Sequence, residues 1–236
     1  MVRDVKTILL KFAGPLQSWG TSSRFESRST DRYPSKSAVV GILAACFGYR
    51  RDDSRIVQFN ELDFGVRIDQ PGELLHDYHV AQKLKPNGTL DQVYVTNRYY
   101  IQDAVFVVAI GSEDDEWISS IEYALRRPCF QPFLGRRCNP LTADFYIGTK
   151  NKTVMSCLME LEWQASGWYK KRYKGRVTLP VYADAHLIED SPRHMARDRV
   201  ITFSQKERLH GYRAVGRKDI VLLPSARQDH DAFNAF

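Results

Sequence analysis

The chain has 236 residues, 34 Lys/Arg against 28 Asp/Glu for a formal net charge of +6, and 43% hydrophobic residues. That is enough for one large domain or two small ones with real cores, and a basic balance favours an acidic partner. The four cysteines, at 46, 129, 138 and 157, form no CxxC pair and no finger spacing, so they read as reduced cytosolic thiols rather than a disulfide or zinc framework. The longest apolar run, Ala38 to Phe47, is about half of a membrane span, and the N-terminus lacks the basic-apolar pattern of a secretion signal.

Taken in chain order, Val5 to Phe12 is branched and aromatic and predicts a first strand. The segment Leu16 to Pro34 is polar and basic, carrying Arg24, Arg28 and Arg32 with Trp19, Phe25 and Tyr33 between them; connections of this length are often functional. Ser35-Lys36-Ser37 opens a helix running to about Phe47, capped by one of the serines and apolar nearly all round, hence buried. Its N-terminus with Lys36 suits an anion, although plain capping beside a solvated lysine fits as well.

Leu62 to Asp69 alternates as a half-buried strand, Gln70-Pro71-Gly72-Glu73 is a turn signal, and Leu74 to Ala81 is expected to return as its hairpin partner. Gln82 to Gln102 then reads as a basic, tyrosine-bearing protrusion, and Val105 to Ile110 as a central strand. A second helix starts at Ser112 or Asp114, buries Trp117, Ile118, Ile121, Ala124 and Leu125, carries Arg126-Arg127 in its last turn and stops at Pro128. Phe145 to Gly148 is a short strand. With the hairpin and protrusion set aside, the order is βαββαβ, that of a ferredoxin-like domain and of RNA-recognition (RRM-like) modules. The fold class is therefore α+β, with residues 1–150 as this domain and a thumb inserted at about 78–102. Segments 154–163, 177–182, 199–203 and 212–215 suggest a small C-terminal β subdomain over 151–225, and 226–236 a loose tail.

The densest chemistry lies in Pro132-Phe133-Leu134-Gly135-Arg136-Arg137-Cys138-Asn139-Pro140. Gly135 permits backbone angles and a close approach denied to other residues, and two guanidinium forks match phosphate oxygens; the loop is suited to hold a nucleic-acid backbone. Positive charge also gathers late: Trp168 to Arg176 holds five Lys/Arg and no acid, interleaved with aromatics. That suits phosphate contact plus base stacking on a single strand, or a solvated hairpin tip. His79 beside Tyr78, with Lys83 nearby, is the one acid–base candidate for RNA cleavage. No Walker loop, HExxH, GxSxG or spaced carboxylate pair is present, and nothing calls for a cofactor or metal.

Several runs together resemble a known family. Leu10 to Gly20 (LKFAGPLQSWG), Arg32 to Leu43 (RYPSKSAVVGIL), Asp77-Tyr78-His79, Pro132 to Arg137 with Pro140-Leu141-Thr142, Phe145 to Thr149, and Arg197-Asp198 are similar, in order, to the type I-E branch of the fifth CRISPR-associated protein family, a subunit of the Cascade surveillance complex. The resemblance implies a RAMP-type ferredoxin-like domain with a thumb and a C-terminal β part. It implies a cytoplasmic, non-catalytic subunit that caps the 5′ handle of the CRISPR RNA and abuts a CasC-type backbone subunit and a CasA-type large subunit, meeting target DNA through the assembled complex. The expected RNA contacts are Gly135, Arg136, Arg137, Ser35, Lys36, Ser37, Trp19, Arg24, Arg32, Lys83, Lys85, Arg98 and Tyr99. The alternative is a repeat-processing endoribonuclease, as in type I-C relatives, using His79.

Overall fold

The computed structural model describes residues 5–20 and 26–223; Arg24 and the 226–236 stretch lie outside them. The order of elements is β1 (Lys6–Ala13), β2 (Leu16–Gln17), β3 (Ser27–Arg28), α1 (Lys36–Cys46), a 3-10 helix (Ser54–Glu61), β4 (Asp63–Gln70), β5 (Glu73–Leu84), β6 (Leu90–Gln102), β7 (Val105–Ser112), α2 (Asp115–Arg126), β8 (Tyr146–Lys150), α3 (Val154–Glu160), α4 (Gly167–Lys170), β9 (Val177–Asp184), a 3-10 turn (Ala185–Leu187), β10 (Arg193–Thr202) and β11 (Leu209–Leu222). The chain is thus a mixed α+β protein.

Seven strands form one sheet in the order β10-β11-β9-β4-β7-β1-β8, each neighbour pair antiparallel. Successive side chains on a strand point to opposite faces, so the unbroken apolar run of β7 supplies both. Phe106, Val108 and Ile110 join Ile8, Leu10 and Phe12 under α1 and α2, while Val107 and Ala109 join Leu9, Val154, Leu158 and Trp163 on the other face. Burial on both sides explains why β7 does not alternate. The caps follow the sequence: Ser35 accepts from the Ala38 N–H and Asp114 from the Trp117 N–H, satisfying donors that the first helical turn leaves free.

Three expectations are corrected. Leu74 to Ala81 does not fold back on β4: β5 pairs with β6 from Glu73↔Gln102 to Leu84↔Leu90, making a long hairpin closed only at its root by β2 and β3. The reason lies at Gly72, with φ +67°, where a Cβ would stand 2.4 Å from the Gln102 carbonyl oxygen; the chain turns sharply out of the main sheet there. The 154–163 segment begins as helix α3 rather than a strand, because Thr153 accepts from the Ser156 N–H and Val154, Cys157 and Leu158 fall on one helical face. Finally, β9, β11 and β10 make no sheet of their own but continue the large sheet beyond β4.

A buried cluster of charge ties this extension to α1. Arg213 on β11 donates through Nε and Nη2 to Asp198 on β10 (2.9 and 2.8 Å) and through Nη1 to Asp184 on β9 (2.8 Å). Asp184 also accepts from the Lys36 ammonium at 3.1 Å and from the Phe64 N–H at 2.9 Å, and Asp198 accepts from the Lys36 N–H at 2.9 Å. Two carboxylates thus face one ammonium and one guanidinium. Burial lowers the Lys36 pKa and Asp184 opposes that shift; burial also works against the Arg213 charge, but the Asp198 hydrogen bonds and Asp184 more than offset it. Asp198→Ala, which strips Arg213 of its two Asp198 hydrogen bonds and the Lys36 N–H of its acceptor, is expected to destabilise the fold by about 3–5 kcal/mol, measured as the loss of unfolding free energy in urea.

Candidate nucleic-acid interface

The glycine-arginine loop is folded by its own backbone. The Leu134 N–H donates to the Asn139 carbonyl at 2.7 Å, the Asn139 N–H to the Arg136 carbonyl at 2.9 Å, and the Asn139 Nδ2 to the Leu134 carbonyl at 3.2 Å. Leu134 is fully buried in the core under α1 and α2 and roots the loop there. At Gly135 φ is +82°, and a Cβ would land 1.6 Å from the Ser18 carbonyl oxygen. Only glycine fits, because the loop presses its backbone on the strip after β2; the Ser18 N–H donates to the Leu134 carbonyl at 3.2 Å. Ser18 in turn reaches β6, its Oγ donating to the Tyr99 carbonyl at 3.3 Å.

That contact delivers Arg136 to the hairpin root. Its guanidinium lies 4.3 Å from the Tyr100 ring centroid and its Nη2 donates to the Arg28 carbonyl at 2.9 Å. Arg28 is on β3, which runs parallel to β6 with Arg28 opposite Arg98. Two donors here, Arg136 Nη1 and Arg98 Nε, are buried and find no hydrogen-bond partner among the described residues. A buried guanidinium N–H without an acceptor is costly, so these atoms favour an anionic oxygen. Arg137 is exposed beside them. Tyr99, half-buried, stacks on His76 at 4.7 Å, and the His76 ring nitrogen Nε2 is 2.8 Å from Asn97 Oδ1. Gly135, Arg136, Arg137 and Arg98 are therefore brought together, whereas Tyr99, next to Tyr100 on β6, turns its ring to the opposite face of the hairpin against His76.

The other expected residues are not. Trp19 is buried, stacks on Phe12 at 5.5 Å and donates from Nε1 to Gln17 Oε1; its ring fills the core and offers no face to a base. Lys36, 5% exposed, belongs to the buried charge cluster, and the anion at the α1 N-terminus is the chain's own Asp198. Ser35 and Ser37 share a 3.2 Å hydrogen bond beneath it, so this trio holds the fold rather than facing solvent. Arg32 is exposed and precedes Tyr33, which stacks on Tyr182 at 4.2 Å; among the described residues no hydrogen bond or ion pair joins Arg32 to the loop. Lys83, paired with Asp91 at 2.9 Å, and Lys85 are exposed at the hairpin tip, about 25 Å along the strand from Arg98 at the usual rise per residue. Arg28 and Tyr100 belong to the site yet were not among the expected contacts; both lie in runs whose basic and aromatic composition marks them.

His79 offers little for acid–base work: its Nδ1 is 3.4 Å from the Thr96 hydroxyl, and Lys83 is engaged by Asp91. Among the described residues no group of three or more His, Cys, Asp or Glu could hold a metal ion, and no helix is long and apolar enough to cross a membrane.

Comparison with known proteins gives a consistent picture. The family model described as CRISPR-associated protein (Cas_Cas5) matches residues 7–216. The CRISPR system Cascade subunit CasD of Escherichia coli is 34% identical over 161 residues, spanning 60% of this chain and 70% of that protein. A chain of a solved CRISPR RNA-guided surveillance complex superposes with a TM-score of 0.76 at 27% identity, covering 97% of this chain and 96% of its own. A second structure, described as a crystal structure of Cas protein, gives 0.65 at 27% identity over 92% and 95%.

The contact at Gly135 sets a direct test. Gly135→Ala is expected to lower stability by more than about 2 kcal/mol, since left-handed backbone alone costs an L-residue roughly 1–2 kcal/mol and Ser18 must also move. Calorimetric melting beside Gly88→Ala, whose Cβ would meet nothing within 4 Å, isolates the contact from the backbone strain.

Proposed function

The chain belongs to the CRISPR-associated protein (Cas_Cas5) family, and on that premise we propose that it works as the non-catalytic clamp of a Cascade surveillance complex in defence against foreign DNA. Its ligand is the 5′ handle of the CRISPR RNA. The handle is a single strand of fixed sequence, so phosphates go to arginines while splayed bases stack on aromatics. Target sequence is left to base pairing by the guide, and this subunit needs no chemistry of its own.

One observation carries the reading: two buried guanidinium donors, Arg136 Nη1 and Arg98 Nε, without hydrogen-bond partners among the described residues beside the loop that Gly135 locks onto Ser18. The βαββαβ order, with β4-β7-β1-β8 adjacent in the sheet, supports a ferredoxin-like RAMP unit, and the β5–β6 hairpin is its thumb. On the same reading residues 1–150 form the RNA-binding body, residues 151–225 the C-terminal part that extends its sheet, and the protein is cytoplasmic. Its neighbours are a CasC-type backbone subunit and a CasA-type large subunit, and it meets target DNA through the assembled complex.

Two measurements test this. Arg136→Ala with Arg137→Ala is expected to weaken handle RNA binding about tenfold or more and to flatten the salt dependence by about 1.4 in log–log slope for two lost phosphate contacts on a single strand; an unchanged affinity and slope refutes the assignment. Incubating the purified chain with end-labelled repeat RNA without metal should give a gel shift and intact RNA. Discrete cleavage lost in His79→Ala would make the protein a nuclease instead.

A further inference from the structure

The run Trp168 to Arg176 takes no part in the interface above. It lies on the other face of the sheet: Trp163, around which it folds, packs with Leu9, Val107 and Leu158, whereas Leu134 of the glycine loop packs with Phe12 and Phe106. Its root is firmly built. The Trp163 Nε1 donates to the Asp69 carbonyl at 2.8 Å, and the Ser166 N–H and Oγ both donate to Gln70 Oε1, at 3.2 and 2.7 Å. Tyr169 and Tyr173 meet Trp163 edge-on at 6.0 and 5.4 Å and join their hydroxyls at 2.8 Å. Asp69 and Gln70 end β4, where the hairpin leaves the sheet, so the lobe stands beside the hairpin root.

What this frame presents is cationic and aromatic. Lys170, Lys171, Arg172, Lys174 and Arg176 are all exposed. The nearby acids are Glu162 and Asp69, and both act on Lys170; Asp69 is already held by Arg67 at 2.6 Å. No ion pair joins Lys171, Arg172, Lys174 or Arg176 to an acid among the described residues. The Trp168 ring carries the Arg172 guanidinium at 4.8 Å and is still 48% exposed, and Tyr173 is 44% exposed. A lobe serving only solubility gains nothing from an indole and a phenol held in water. An acidic polypeptide would answer the charge and leave the rings unmatched. A single strand answers both, because every base has a face to stack and every nucleotide a phosphate.

We infer that the 167–176 lobe is a second nucleic-acid surface, binding a single strand without sequence preference on the sheet face opposite the handle interface. It goes beyond the handle reading and does not need it. The test uses the full chain carrying Arg136→Ala and Arg137→Ala, which removes the loop arginines whether or not they bind RNA, with a fluorescein-labelled oligothymidylate of about twenty nucleotides, long enough to exceed one binding site. Adding Lys171→Glu, Lys174→Glu and Arg176→Glu should lower its affinity about tenfold or more and reduce the log–log salt slope by about two. Trp168→Ala, which leaves the lysines in place, should weaken binding about fivefold or more. Matching melting temperatures show that the variants are folded, and handle RNA titrated into the charge-reversed chain with wild-type loop arginines should bind as before. Unchanged oligothymidylate binding in both lobe variants overturns the proposal. So does a silent Trp168→Ala combined with displacement of the oligonucleotide by poly-glutamate at equal charge, which would make the lobe a docking surface for an acidic polypeptide.

Discussion

Four charges kept out of water hold this molecule in one piece. Lys36 opens α1, while Asp184, Asp198 and Arg213 sit on β9, β10 and β11. None of the four could be buried alone, since an isolated ion in a protein interior costs several kcal/mol. Together they neutralise one another, and the backbone N–H groups of Lys36 and Phe64 complete the carboxylates' hydrogen bonding. The result fixes where the C-terminal strands stand against the helix that covers the first half of the sheet. A hydrophobic contact could slide by a side chain's width at little cost; bidentate pairing of Arg213 with Asp198 cannot. The sheet therefore acts as a rigid plate, on whose two faces and one edge the polar chemistry is displayed.

The site at the edge depends on that rigidity through a single steric fact. Gly135 and Ser18, 117 residues apart in the chain, touch backbone to backbone only because Leu134 is anchored in the core and β2 is pinned to β6. Remove either anchor and Arg136 no longer finds the Arg28 carbonyl or the Tyr100 ring. The loop's sequence advertises anion binding, but its position is decided by residues with no charge at all.

What the sequence makes legible is whatever is encoded locally. The strand at β4, the caps at Ser35 and Asp114, and the apolar stripe of α2 each state their structure within a dozen residues, but the alternation of β4 misstates its burial: it is covered on both faces, and its polar Arg67 and Asp69 are buried as a pair instead of facing solvent. So does the anion-binding character of Gly135-Arg136-Arg137. The failures share a different cause. Lys36 looks like a phosphate ligand because its partners, Asp184 and Asp198, lie far down the chain and no spacing announces them. Trp19 sits among charges yet is drawn into the core by Phe12 and Gln17. The 154–163 run is rich in Val, Met, Cys and Leu, which serve strand or helix alike, and the Thr153 cap decides the matter. The hairpin differs from the expected one because the turn at Gly72 is readable while the partner of the returning strand is not.

The β5–β6 hairpin has a gradient built into it. At its root Gln102, Ile101, Asn97 and Arg98 are paired with β2 or β3 as well as with β5; outward from there, among the described residues, the two strands pair only with each other, and Val80, Leu84, Leu90, Val93 and Tyr94 stand exposed. A two-stranded ribbon in water is marginally stable by itself. Its outer rungs therefore open and close independently of the sheet, and amide hydrogens there exchange with solvent long before those of β1 or β7. A partner that closes over the tip does more than touch it: by suppressing those openings it makes the outer hairpin cooperative with the core, so that a flexible arm becomes a lever continuous with the plate.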